Sequence, residues 1–244
     1  MSLRTFLFRQ LPRTIYHTQK YSPHVPLLQS EAHNLNLCPR RFNHKAIKCW
    51  QCGIERKNLG ELFCEQCNYI QSPPEKDNYF KIFELEEKFS IDPKQLTSKY
   101  RQMQGLLHPD KFSNKSDTEK DISAEFSSLV NKAYNTLQTP LKRAIHLLHL
   151  KGAVIDEDQR VEDPEFLMEI MELNEEVENA DSDEKLKKLK LKNDSELSKI
   201  ANEINKCFET GEINKAKENI IKMKYFNSVS VHINNLIREK GITE

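Results

Sequence analysis

Residues 106–113 read LLHPDKFS, and the reading of this octapeptide decides the fold. Pro109 disfavours the α region for His108, so a helix arriving from upstream stops at or just before the histidine. Such a helix is written ahead of it. Asp92 is a capping carboxylate, Pro93 suits the first helical position, and Leu96, Tyr100, Met103 and Leu107 form one apolar stripe. Lys94, Ser98 and Arg101 fall on another face, expected to be wet and positively charged. Beyond the polar stretch SNKSDTEKD, a second stripe of Ile122, Phe126, Leu129, Ala133 and Leu137 runs to just before Pro140. Two striped helices joined this way read as an antiparallel pair, with His108 and Asp110 on a stiff, solvent-facing turn between them. NYFKIFEL (78–85) offers a short helix to cap the groove, and LKRAIHLL (141–148) a further one.

An imidazole and a carboxylate so close could be an acid–base pair. An exposed turn creates no water-excluding cleft, however, and no nucleophile accompanies them, so the sequence argues against an enzyme.

The chain has 244 residues, 37 basic and 37 acidic. A net charge of zero gives no global pull towards nucleic acid or membrane. Only six glycines occur, and Lys, Glu, Leu and Asn are plentiful, which favours helices. No stretch approaches the length of a membrane-spanning helix. The first 30 residues stand apart: they carry Arg4, Arg9, Arg13 and Lys20 but no acid, with Leu3, Phe6, Leu7 and Leu11 at helical spacing. That is the pattern of a mitochondrial presequence, and it points to the matrix, with the cytoplasm left open as a second compartment.

Between presequence and helices lies CWQCGIERKNLGELFCEQC (49–67), in which Cys49, Cys52, Cys64 and Cys67 form two CxxC pairs. Each pair lets two thiolates converge on one ion from a tight turn, and Gly53 supplies the freedom such a knuckle needs. Four thiolates leave no vacancy for water or substrate, so a structural Zn²⁺ is expected, contributing about 10–16 kcal/mol to folding. Disulfides do not suit a reducing compartment, while an iron–sulfur centre would use the same ligands and stays open. Cys38 and Cys207 stand apart, the latter reading as a core residue.

Asp163–Pro164 opens a second helical block. In EFLMEIMELNEEVEN, Phe166, Ile170, Leu173 and Val177 make a core stripe, whereas Leu167, Met168 and Met171 fall off it, beside Glu172 and Glu175. Methionines on an exposed face rimmed by carboxylates suit a surface that receives another protein. Two longer amphipathic patterns follow, separated by Thr210–Gly211, and three such helices with short connections predict an antiparallel bundle. The expected fold class is mainly α. A presequence (1–30) and linker (31–47) precede a four-cysteine zinc module (48–71). A helical domain (77–150), an acidic linker (151–162) and a three-helix bundle (163–240) follow.

A helix ending at HPD(K/R)F, followed by a second helix bearing NKAYNTL, resembles the J-domain over roughly residues 78–148. That resemblance implies docking on an Hsp70 chaperone and stimulation of its ATPase. His108, Pro109 and Asp110 would be the triggering tripeptide, and Lys94, Lys99, Arg101 and Lys111 the basic docking surface. FLMEIMELNEEVE and IKMKYFNSV, with LKRAIHLL at the junction, resemble the HscB family of iron–sulfur cluster co-chaperones. The preceding CWQCG module is similar to that of its animal-type members. This implies a bundle that binds the cluster-assembly scaffold through Leu167, Met168, Met171, Glu172, Glu175 and Tyr225 and delivers it to a mitochondrial Hsp70. Where the family pattern has a further acid, this chain has Asn179. Recipient proteins and a second copy of the chain are further partners left open. The alternative is a zinc-bearing J-protein serving other clients as a general folding helper. A nucleic-acid binder fits poorly, because Glu55, Glu61 and Glu65 offset Arg56 and Lys57.

Overall fold

The structure, a computed structural model, describes residues 48–56, 62–73, 76–156 and 159–240. The expected presequence, the linker at 31–47 and Cys38 lie outside these residues. The helices are α1 (Tyr79–Ile82), α2 (Pro93–Leu106), α3 (Asp117–Gln138), α4 (Pro140–Leu150), α5 (Pro164–Glu178), α6 (Asp183–Thr210) and α7 (Ile213–Glu239). Among the described residues the only extended pairing is two isolated β-bridges in the cysteine module. No described helix is long and apolar enough to cross a membrane.

Local chemistry sets the helix ends. The Asp92 carboxylate accepts the Lys94 N–H at 2.9 Å and starts α2. That helix ends at Leu106 because His108, ahead of Pro109, is held at φ −58°, ψ 130°. Helix α3 opens with a capping box in which Ser116 and Glu119 each accept the other's backbone N–H. Helices α2 and α3 run antiparallel: Tyr100 stacks on Tyr134 at 4.1 Å, and Gln104 donates to Asn131 at 2.9 Å. The α3 stripe differs in one position from its expected form. Val130 is fully buried and Leu129 only half-buried. With Phe126, Ala133 and Leu137 pointing inwards, residue 130 completes the i, i+4, i+7, i+11 line, and 129 rides its edge.

The first hydrophobic cluster gathers Phe80, Phe83, Leu96, Leu107, Phe112, Phe126, Val130 and Leu137, but it does not stop at α4. Ile204, Ile220 and Met223 of α6 and α7 are buried in it, as are Leu62 and Ile70 of the cysteine module. Phe89 stacks on Phe208 at 6.4 Å, and the Arg143 guanidinium lies 5.0 Å over Phe89 while donating to the Leu137 carbonyl at 2.6 Å. The second cluster packs Phe166, Ile170, Leu173 and Val177 of α5 against Leu186 and Leu189 of α6 and Phe226, Val229 and Ile233 of α7. Leu197 and Ile200 touch both clusters. The α6–α7 hairpin is therefore one rod shared by two cores.

Gly211, at φ +77°, turns the rod back on itself and lets the Glu212 N–H reach the Cys207 carbonyl at 2.9 Å. Cys207 is buried there, in the core position expected of it. Buried Asn193 donates across the rod to the Phe226 carbonyl at 3.2 Å and the Ser230 hydroxyl at 2.8 Å, which fixes the register of α6 on α7. At the start of α5 the Asp163 carboxylate accepts the Phe166 N–H at 3.2 Å, as the Asp–Pro pair predicts.

Candidate functional site

Three places carry the candidate residues. At the first, His108 begins a single 3₁₀ turn, Pro109–Phe112, between α2 and α3. Leu107 on one side and Phe112 on the other are buried, and Ser123 of α3 donates to the Leu107 carbonyl at 3.1 Å. The backbone is clamped from both ends, while the side chains between stay outside: His108 is 59% and Asp110 89% exposed. The Asp110 N–H donates to His108 Nδ1 at 3.3 Å. The same Nδ1 lies 3.5 Å from the Asp110 carboxylate, so ring and acid form one compact polar unit facing outwards. Water reaches both groups, which is the wrong setting for acid–base chemistry on a sequestered substrate and the right one for contact with another protein.

The cations expected beside this corner divide into two sets. Lys94 and Arg101, seven residues apart, lie on one face of α2 and line a shallow groove with Pro93, Thr97 and Ser98. Neither makes an ion pair among the described residues. Lys99 sits about 140° round the helix from Lys94. It is only 26% exposed, with Nζ 3.4 Å from Glu84. Lys111 is exposed on the corner itself.

On α5, Met168, Met171, Glu172 and Glu175 follow one another at i, i+3, i+4 and i+7 and share one outward stripe. The two methionines are 63% and 64% exposed, well beyond an ordinary core-edge position. Leu167 and Tyr225 are half-buried against the second cluster. Tyr225 meets Phe166 edge-on at 5.6 Å, and Lys222 spans the same region, 3.6 Å from Asp163 and 5.1 Å above the Phe166 ring. The structure thus joins Tyr225 of α7 to the first turn of α5, which sequence spacing alone could not do. Asn179 caps the end of α5.

The third place is the cysteine module, where two like knuckles face each other. Cys49 N–H donates to Ile54 and Gly53 N–H to Cys49, and Cys64 N–H to Tyr69 and Asn68 N–H to Cys64, all at 2.8–3.0 Å. The residue after each second cysteine is left-handed, Gly53 at φ 72° and Asn68 at φ 57°. Asn tolerates that region through local side-chain bonding, so Asn68 is the counterpart of Gly53 that the sequence reading passed over. All four sulfurs lie within 4.8 Å of one another, with Cys49–Cys67 at 3.6 Å and Cys52–Cys64 at 3.7 Å. Sulfurs each ~2.3 Å from one zinc stand about 3.8 Å apart in a tetrahedron, so this set fits a metal ion.

Electrostatics agree. Burial opposes ionisation of Cys49, yet the N–H groups of Cys52 and Gln51 more than offset it and hold its thiol down to about 6. At Cys67 the Tyr69 N–H favours the thiolate, but burial and the neighbouring sulfurs outweigh it and push the thiol up to about 12. Four thiols this close ionise together only if a cation offsets their charge.

Comparison with known proteins places these features in one lineage. Residues 78–146 match the DnaJ domain, and residues 162–234 match the HSCB C-terminal oligomerisation domain. The chain is 40% identical over 191 residues to the mouse iron–sulfur cluster co-chaperone protein HscB, covering 77% of this chain and 82% of that protein. To the human protein of the same name it is 38% identical over 189 residues, covering 76% and 80%. The crystal structure of human co-chaperone protein HscB superposes with a TM-score of 0.71 at 37% identity, over 80% of this chain and 99% of that one.

Proposed function

The chain belongs to the HscB family of iron–sulfur cluster co-chaperones, and from that premise we propose that it couples a cluster-assembly scaffold to the ATPase cycle of an Hsp70 chaperone in the mitochondrial matrix. The observation that carries this reading is the corner at His108–Pro109–Asp110: polar, exposed, and held on a rigid base by Leu107 and Phe112. Lys94, Arg101 and Lys111 would steer the corner onto an acidic chaperone surface, with Lys99 at the margin. His108 and Asp110 would then bond at the chaperone's working seam and bias its conformational equilibrium towards hydrolysis. The co-chaperone changes a rate without holding nucleotide.

At the other end, Met168 and Met171 with Leu167 and Tyr225 would form the apolar centre of the scaffold contact, and Glu172 and Glu175 its acidic rim. Holding trigger and client on one body raises the client's local concentration at the chaperone. Cluster transfer to recipient proteins follows from that tethering. Zinc held by Cys49, Cys52, Cys64 and Cys67 would have a structural role, since four thiolates fill its coordination shell. The matrix assignment is supported by the acid-free, arginine-bearing first 30 residues.

A coupled ATPase assay with purified mitochondrial Hsp70, run with and without scaffold, tests this. The expected result is stimulation by the chain alone and more than additive stimulation when scaffold is added. A chain that stimulates but neither binds scaffold nor responds to it would be a general folding co-chaperone instead.

A further inference from the structure

Gln71 is 2% exposed, although four thiolates need no amide to complete a metal site. Its Nε2 donates to two acceptors, the Tyr69 carbonyl at 2.9 Å and the Cys49 sulfur at 3.3 Å. Its own backbone N–H is held by the Leu62 carbonyl at 2.9 Å, and Trp50 of the first knuckle donates to the Ile70 carbonyl beside it at 2.7 Å. The amide is therefore aimed by groups on both sides of it. Cys49 collects a second donor, the Cys52 N–H at 3.5 Å, and is itself 2% exposed. The opposite edge of the four-sulfur set is built otherwise: Cys52 is exposed, and no side-chain amide donates to it among the described residues.

We propose that Gln71 is a positioning residue of the metal centre, which locks Cys49 as the anchoring thiolate so that ligand exchange begins at Cys52. The inference rests on reading the four cysteines as a metal site. A directed N–H donor draws charge from the sulfur, fixes the direction of its remaining lone pairs and keeps protons and electrophiles off it. Partners of this kind are worth about 10–100-fold in metal affinity. Cys52 receives the backbone N–H of Ile54 but no buried side-chain amide among the described residues, and its exposure gives a chelator or thiol-directed electrophile its point of entry.

The test uses the full chain purified with its bound metal, whose identity and stoichiometry are measured by elemental mass spectrometry. Metal affinity is read by competition with a pyridylazo-resorcinol chelator, and residue-resolved alkylation by N-ethylmaleimide gives the order in which the thiolates open. The expected order has Cys52 first and Cys49 last. Gln71→Ala should weaken metal affinity about 10–100-fold and bring Cys49 forward in that order. Gln71→Glu, similar in shape but placing a negative charge against the sulfur, should weaken it at least as much. A chain that binds no metal overturns the metal reading and the proposal together. A metal-loaded chain in which Cys49 reacts no later than Cys52, or in which Gln71→Ala and Gln71→Glu leave affinity unchanged, overturns the proposal alone. Should the variants fail to fold, the labelling order of the unsubstituted chain decides.

Discussion

The two surfaces proposed to bind other proteins are built in opposite ways. At the corner between α2 and α3, polar groups are held outside by apolar anchors: Leu107 and Phe112 go in so that His108 and Asp110 stay out. On α5, apolar groups are themselves held outside, and Met168 and Met171 ride on a straight helix whose other face is fully used by Phe166, Ile170, Leu173 and Val177. The corner carries its information in the path of the backbone. The α5 face carries it in side-chain chemistry alone. In both, an outer residue should be silent in stability and loud in binding, and the inner residues should show the reverse only on the α5 side.

The largest effect tests the corner. His108→Gln should reduce stimulation of the chaperone ATPase to the unstimulated rate while thermal unfolding of the chain is nearly unchanged, because His108 is 59% exposed and its one side-chain hydrogen bond is a local one to the Asp110 N–H. Retention of most of the stimulation would break the comparison at its first term. Next in size, Phe112→Ala should cost about 3–5 kcal/mol in chemical denaturation and lower stimulation as well, since the corner loses its floor. Met171→Ala, by contrast, should stay within about 0.5 kcal/mol of the parent.

The triple replacement of Leu167, Met168 and Tyr225 by alanine tests the other term. Scaffold affinity by calorimetry should fall about tenfold or more, that is about 1.4 kcal/mol or more, with stimulation in the absence of scaffold retained. Scaffold affinity that survives the replacement would remove α5 as the client surface. The smallest difference separates two cations. Arg101→Ala should weaken chaperone association at low salt by about 1 kcal/mol or less, fading as salt rises. Lys99→Ala should do less, because Lys99 lies on another face and is engaged with Glu84.

Much of this was legible in the residues, for reasons that differ by place. The end of α2 follows from His108–Pro109, and the starts of α2 and α5 from two Asp–Pro pairs, since each rule involves neighbours in sequence. Met168 and Met171 announced themselves by standing off the stripe that Phe166 and Ile170 define. The metal set followed from two CxxC pairs, but Gln71 and Asn68 did not. A buried amide or a left-handed Asn has no signature until the fold encloses it. The J-domain resemblance groups Lys99 with Lys94, although helix spacing puts them about 140° apart; its partner Glu84, at a positive φ of 48° in the loop after α1, has no signature in the sequence. The union of the two helical blocks was hidden too. The acidic segment at 151–162 marks a break in the helices, whereas Ile204, Ile220 and Met223 reach the first cluster from well downstream of it.

That shared rod bears on how the protein can be dissected. Cutting after Leu150 would strip Ile204, Ile220, Met223 and the stacked Phe208 from the J-domain and leave their imprint as raw apolar surface on α4 and its neighbours. A minimal fragment carrying the HPD corner therefore has to keep the turn of the hairpin around Gly211, and a chimera that grafts this corner elsewhere should bring that turn with it.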